Sequence, residues 1–333
     1  MSLDNPEANP QQRLSDHLAE EIAAVDALIR ERMASEHAPR IPEVTAHLVD
    51  AGGKRLRPLL TLASARICGY DGVHHVDLAA TVEFIHTATL LHDDVVDSSE
   101  RRRGRPSANL LWDNKSSVLV GDYLFARAFQ LMVGAGSLRV LDILSDAAAT
   151  IAEGEVLQLS MARNMATDEA TYLRIVRGKT AALFAAACEV GGVLAGADDA
   201  RVRALRRYGD ALGVSFQIVD DLLDYGGATG EIGKNVGDDF RERKLTLPVI
   251  KALAAADAHE RAFWTRTIDR GEQGAGDLEE ALAILRRHDA LEAVRSDALG
   301  WAETARMAIL ELPEGPLRAM LHDLAVQVVS RVR

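Results

Sequence analysis

Residues 83–97 read EFIHTATLLHDDVVD, and residues 216–224 read FQIVDDLLD. Each is an apolar stretch with helical spacing that ends in two adjacent aspartates and a third one turn later, the pattern DDxxD. On a helix the first and last positions of that pattern share a face, so Asp93 with Asp97, and Asp220 with Asp224, each form a carboxylate pair. Asp94 and Asp221 bring the acids to six. Ionised carboxylates gathered at helix ends repel one another unless a cation sits among them. Hard divalent ions with oxygen ligands, Mg2+ above all, suit that place. A substrate gripped between two such clusters would be anionic and rich in oxygen, as a diphosphate is. One DDxxD in an acidic chain reads more readily as a solvated helix end than as a metal site. Two copies, each joined to a long apolar helix, point to a metal site.

The rest of the chain carries the same helical rhythm. From Leu14 almost to the end, apolar residues recur at i, i+3, i+4 and i+7 in segments mostly of 15 to 25 residues. Breaks are expected at Ala51-Gly52-Gly53, Gly69 to Gly72, Gly104-Arg105-Pro106, Gly134 to Gly136, Asn164 to Asp168, Gly191 to Asp199 and Gly226 to Gly237. No period-two stretches bounded by hairpin turns occur. The expected fold is therefore all-α, a helical bundle around a central cavity. No linker of useful length divides the chain, so residues 14–333 are read as one domain and residues 1–13, polar and rich in Pro and Asn, as a disordered tail. The clusters lie 127 residues apart (220 − 93) and meet only if their helices are neighbours.

Bulk numbers narrow the function classes. A hydrophobic content of 48% with 26% charged residues is ordinary for a globular protein. A formal net charge of −12 argues against nucleic acid as a partner. The two cysteines, Cys68 and Cys188, are too few for a disulfide framework and suit a reducing, cytoplasmic setting. The N-terminus lacks the basic-then-apolar order of a signal peptide, and no run of eighteen apolar residues predicts a membrane span.

Further blocks surround the clusters: Gly52-Gly53-Lys54-Arg55-Leu56-Arg57-Pro58, Arg101-Arg102-Arg103-Gly104, Gly178-Lys179-Thr180, Gly233-Lys234 with Gly237-Asp238-Asp239, and Lys244 to Pro248. Lys54 and Arg57, three apart, are expected on one helix face as two cations for one diphosphate. Arginine forks such as Arg102 and Arg103 match phosphate oxygens. Gly178-Lys179-Thr180 is no P-loop, because Leu173 stands where that motif needs glycine. His86, two turns before Asp93, reads by itself more readily as a buried structural histidine than as a ligand.

In this order and spacing the blocks, from about residue 45 to 250, closely resemble the trans-polyprenyl diphosphate synthases, the isoprenoid chain elongases. That resemblance implies the class I isoprenoid synthase fold, Mg2+, and a homodimer in which residues Val118 to Val133 are a candidate surface. It implies isopentenyl diphosphate held by Lys54, Arg57, His86 and Arg103, and an allylic diphosphate held by Arg102, Lys179 and Lys234. Lys179, Thr180, Gln217 and Lys234 then assist departure of the allylic diphosphate, with Mg2+ held by the aspartates. The resulting cation is attacked by the double bond of isopentenyl diphosphate, and no protein nucleophile is required. The product leaves through peripheral membrane contact, with a quinone side chain as its expected destination.

Product length is read below the first cluster. Ala88 lies five residues before Asp93, roughly 7–8 Å down the helix. Short-chain members of the resembled family place a bulky aromatic at or beside that position. Here Ala88 is followed by Thr89, and Ile85 and Thr81, further down much the same face, are not aromatic either. The expectation is a long product of about eight to ten isoprene units, with a farnesyl or geranylgeranyl product as the alternative. A terpene cyclase would not need the Lys54/Arg57 pair. A metal phosphohydrolase of the HD type, suggested by His86 and His92-Asp93, needs more histidine ligands than the second cluster offers. Beyond about residue 250 no motif is legible, and Arg331-Val332-Arg333 reads as a frayed basic tail.

Overall fold

The computed structural model describes residues 9–50, 53–102, 104–226 and 236–330. Helices carry nearly all of them. They run in order as α1 (Pro10–His17), α2 (Ala19–Met33), α3 (Arg40–Asp50), α4 (Leu56–Ile67) and α5 (His74–Val96). Then come α6 (Ala108–Leu111), α7 (Asn114–Gly134), α8 (Leu138–Met161), α9 (Glu169–Val176), α10 (Ala182–Leu194), α11 (Asp199–Gly226) and α12 (Asp238–Arg241). Five further helices lie between Leu247 and Ser330. The strands among the described residues are β1 (Arg101–Arg102) and β2 (Arg105–Pro106), joined antiparallel with Arg102 opposite Arg105. Gly104, at φ +77°, turns this ribbon. The all-α expectation holds.

By packing, the chain divides into two compact units. One comprises residues up to Ala148 with Leu183–Arg206 and Ile309–Leu321; the other comprises Ala149–Ala182, Arg207–Ala308 and the residues from His322 onward.

In the first unit α5 is the central element, packed against α2, α4 and α7. Its middle, from Leu78 to Ile85, is buried on every side, as suits a helix enclosed by its neighbours. Phe84, Ile85, Ala88 and Leu91 are all buried; each of the three larger side chains contributes about 1.5–3 kcal/mol by leaving water. Two buried polar groups on the same helix have partners: Thr81 donates to the Asp77 carbonyl at 2.8 Å, and Glu83 takes a hydrogen bond from Arg55. The helix ends in a Schellman cap. Ser98, at φ +53°, takes the left-handed position; its N–H bonds the Val95 carbonyl and that of Ser99 the Asp94 carbonyl. This stop leaves Asp93 and Asp97 in the last turn.

Three expectations are corrected. Residues 10–13 belong to α1, not to a tail: Asn9 caps the Gln12 N–H at 2.9 Å, Pro10 sits in the first turn, and Leu14 is buried. Gly191 and Gly192 do not break a helix but lie within α10. A Cβ on Gly191 would come within 2.7 Å of the Thr61 carbonyl oxygen, so glycine there permits close packing on α4. Lys54 and Arg57 do not share a helix, because α4 begins at Leu56 after Arg55 in the left-handed conformation (φ +47°).

The second unit contains α9 and, following it, a π turn over Arg177–Ala181. Its core gathers Tyr225, Phe240, Phe263 and Trp264 with Val249, Ile268 and Leu285.

Candidate functional site

The six aspartates of the two motifs have separate fates. In the first unit Asp94 is fully buried, and Arg102 grips it: Nε lies 3.0 Å from both carboxylate oxygens and Nη2 2.8 Å from Oδ1. Asp93 is half-buried and Asp97 exposed. In the second unit Asp221 is buried and accepts two hydrogen bonds, from the Tyr172 hydroxyl at 2.6 Å and the Gln217 amide at 2.8 Å. Asp224 is also buried and caps α12, accepting from the backbone N–H groups of Asp238 at 3.2 Å and Asp239 at 3.0 Å. Asp220 stays half-buried. Asp94, Asp221 and Asp224 are thus engaged within the protein, whereas Asp93, Asp97 and Asp220 are the more exposed acids of their motifs. The physical reason is angular: neighbours on a helix point about 100° apart, so when the first aspartate of each motif faces outward the second turns into the fold.

Arg57 and His86, 29 residues apart in sequence, come together. Arg57 Nη1 lies 3.1 Å from His86 Nε2, and its guanidinium sits 4.5 Å above the Phe184 ring. Arginine can only donate, so Nε2 of His86 is the acceptor. A cavity beside them is lined by His86, Arg55, Arg102, His47, Glu83 and Ser107. Arg55 carried no signal of its own in the sequence; it is tied to Asp26 at 3.0 Å and Glu83 at 2.6 Å. Lys54 is exposed before α4, with its carbonyl accepting from Gln11 at 2.6 Å. Arg103 and Lys234 lie outside the described residues.

In the second unit Lys179 pairs with Glu155, and Thr180 with Gln217. Lys179 and Thr180 stand on the π turn, a form of helix that often marks functional sites. Two glycines let the chain close up there. A Cβ on Gly154 would lie 2.6 Å from the Lys179 backbone nitrogen, and one on Gly178 would lie 2.8 Å from the Gly154 Cα. This approach brings Lys179 Nζ within 2.9 Å of Glu155. Thr180 donates to the Gln217 amide oxygen at 2.9 Å. Glu155 and Tyr172 are site residues that the sequence does not reveal. A glutamate amid Glu153-Gly154-Glu155 and a tyrosine on an amphipathic helix carry no signal until their partners are in place.

The four residues read from the sequence as bearing on product length all stand on α5. Thr81, Ile85 and Ala88 are fully buried; Thr89 is half-buried and donates to the His86 carbonyl at 2.8 Å.

As a metal site, the accessible donors are hard carboxylate oxygens, the right chemistry for Mg2+. Among the described residues no three or more His, Cys, Asp or Glu side chains already converge as a cage. Mg2+ commonly takes one or two carboxylates and completes its shell with water and substrate phosphates. The residues fit an ion bound in that way.

Comparison with known proteins shows what the whole chain is similar to. Residues 38–285 match the family model described as polyprenyl synthetase. The octaprenyl diphosphate synthase of Escherichia coli (strain K12) is 42% identical over 322 residues, covering 97% of this chain and 99% of the relative. The crystal structure of a decaprenyl diphosphate synthase from Rhodobacter capsulatus superimposes with a TM-score of 0.95 at 69% identity, over 97% of this chain and 99% of that one. A polyprenyl synthase from Caulobacter crescentus CB15, solved with calcium and isoprenyl diphosphate, gives 0.92 at 50% identity, over 97% and 98%.

Proposed function

This chain belongs to the polyprenyl synthetase family, a family of trans-prenyltransferases, and we propose that it adds isopentenyl diphosphate units to an allylic diphosphate until a long all-trans chain is made. The product is about eight to ten isoprene units, the lengths named by its octaprenyl and decaprenyl relatives. The 69% identity to the decaprenyl diphosphate synthase over nearly the whole chain carries this reading. The absence of an aromatic at Ala88 and Thr89 supports it.

Arg57, with His86 fixed against it, holds isopentenyl diphosphate, and Lys54 and Arg103 add charge to the same ligand. Lys179, Lys234 and Arg102 bind the allylic diphosphate. Arg102 Nη1 is not part of the fork on Asp94 and serves this purpose. Asp93, Asp97 and Asp220 hold Mg2+. That ion supplies charge neutralisation for the departing diphosphate when bound. As the allylic C–O bond breaks, Lys179 stabilises the negative charge gathering on the leaving oxygen. Thr180 presents its oxygen to the allylic cation left behind, and Gln217 orients that hydroxyl. The double bond of isopentenyl diphosphate attacks C1 of that cation, and a proton lost to the released diphosphate restores the alkene. Each cycle lengthens the chain by one unit.

The chain from α1 onward works as one domain in this reading, supported by a family match that runs through both compact units. Among the described residues no helix is long and apolar enough to cross a membrane, and neither cysteine is in a disulfide, which suits action in the cytoplasm with only peripheral membrane contact. A homodimer is supported by Val118, Leu119, Phe129 and Val133, large apolar side chains left exposed along α7.

The test supplies farnesyl diphosphate, labelled isopentenyl diphosphate and Mg2+, and resolves the products by chain length. Products of about eight to ten units, lost on chelation and restored by Mg2+, are expected. Accumulation of farnesyl or geranylgeranyl lengths alone would overturn the long-chain reading.

A further inference from the structure

Tyr172 ends a hydrogen-bonded chain whose other end is Thr180. Its hydroxyl donates to Asp221 Oδ2 at 2.6 Å; Gln217 Nε2 donates to Asp221 Oδ1 at 2.8 Å; Thr180 donates to Gln217 Oε1 at 2.9 Å. Direction along this chain is not free. An ionised carboxylate only accepts, so Gln217 must turn its NH2 to Asp221. That leaves Gln217 one remaining heteroatom, the amide oxygen, and Thr180 must spend its only proton on it. The lone pairs of the Thr180 hydroxyl then face whatever lies beside it. Without Asp221 held in place, Gln217 could flip, and Thr180 would then accept from it and direct its own proton outward.

We propose that Tyr172 is a positioning residue for the transfer step: through Asp221 it sets the amide polarity of Gln217 and thereby keeps the oxygen, and not the proton, of Thr180 toward the reacting carbon. Two features converge on this. Tyr172 is almost wholly buried, so its hydroxyl is committed to Asp221 and not to water. The backbone also cooperates. Eight residues of regular α-helix would carry Thr180 about 80° past the face of Tyr172. The wider π turn over Arg177–Ala181 winds less per residue and swings Thr180 back toward that face. The second aspartate of the motif, read from the sequence as a metal ligand, is on this account a polarity clamp.

The inference rests on the reading of Thr180 given under Proposed function, and a double-mutant cycle on the full chain separates the two. Single-turnover rates of the first condensation, KM for each substrate and for Mg2+, and thermal midpoints would be measured for Tyr172→Phe, Thr180→Val and the pair. Tyr172→Phe is expected to slow condensation by about tenfold, the worth of one hydrogen bond to a charged group. Its KM for Mg2+ should stay within about twofold, since no metal ligand is touched. On the Thr180→Val background it should cost nothing further. Multiplying losses in the pair, a full-speed Tyr172→Phe, or a loss confined to KM for Mg2+ would each overturn the relay while leaving the Thr180 reading standing. A full-speed Thr180→Val would sink both. Should Tyr172→Phe not fold, Gln217→Met cuts the same chain one link on and must show the same non-additivity with Thr180→Val.

Discussion

Arg102 and Asp94 form a two-pronged ion pair in which the carboxylate is wholly buried and the guanidinium mostly so. It ties the ribbon of β1 and β2 to the last turn of α5, one residue from the outward-facing Asp93. Two adjacent aspartates of one motif therefore do different work. Asp94→Ala leaves a buried guanidinium edge unpaired and should cost about 3 kcal/mol of stability, seen in chemical denaturation. Asp93→Ala should leave the denaturation midpoint unchanged and abolish elongation. Equal midpoints for the two variants would contradict the division.

Arg57 and Lys179 are assigned to different substrates. Arg57→Ala removes the cation stacked on Phe184 and paired with His86, and should raise KM for isopentenyl diphosphate at least tenfold with little change for the allylic substrate. Lys179→Ala should do the reverse. Titrations in which each variant loses both substrates equally would show the assignment to be wrong.

Ala88 is completely enclosed on α5. Ala88→Phe should place a ring across the growing chain's path and shorten the product sharply while the first condensations stay fast. Overpacking a full site costs about 1–3 kcal/mol, so the thermal midpoint is to be read beside the product profile. Unchanged length in a folded variant would put the floor of the path on another helix.

Gly154 is required by contact, not by conformation. Gly154→Ala sets a methyl 2.6 Å from the Lys179 backbone nitrogen, where no side-chain motion relieves it. The π turn should be displaced and the Lys179–Glu155 pair opened, with a loss of about 1–3 kcal/mol in stability. The allylic KM should rise as well. A stable variant with an unaltered allylic KM would show that this approach does not position Lys179.

Acid sensitivity should centre on Glu260, a buried carboxylate held by His288 at 2.7 Å and by Arg287 and capping its own helix. The His288 hydrogen bond leads in depressing it from 4.5 to about 2. A depressed carboxylate contributes stability that is fully present above its unfolded value and lost as pH falls through the folded one. Stability should decline between about pH 4.5 and 2, and Glu260→Gln should flatten that part of the curve while lowering stability at neutral pH. An unchanged acid limb in Glu260→Gln would assign the loss to other carboxylates.

Much of this protein was legible in its residues alone. Helical periodicity is a local property, so the all-α class and most helix ends follow from spacing, glycine and caps. The DDxxD motifs stand out because adjacent acids closing an apolar helix repel one another, and a chain bears that repulsion twice only where a cation relieves it. Arg57, His86, Lys179, Thr180 and Gln217 drew attention through the resemblance of their motifs to the trans-polyprenyl diphosphate synthases.

What each of those groups does depends on partners far away in sequence, and only the tertiary structure decided it. Nothing in the motif distinguishes Asp94 and Asp221 from Asp93 and Asp220. The difference is that Arg102, and Tyr172 with Gln217, stand on the inward side of their helices, so one acid of each pair is desolvated and bound while its neighbour remains accessible. Asp224 likewise became a helix cap because α12 starts beside it. Glu155 was invisible until Gly154 and Gly178 let two segments close to contact distance and set Lys179 against it. Residue type and helical period set which side chains are available at a helix end; burial and hydrogen-bond direction, which arise only when distant segments pack, set which of them are left to do chemistry.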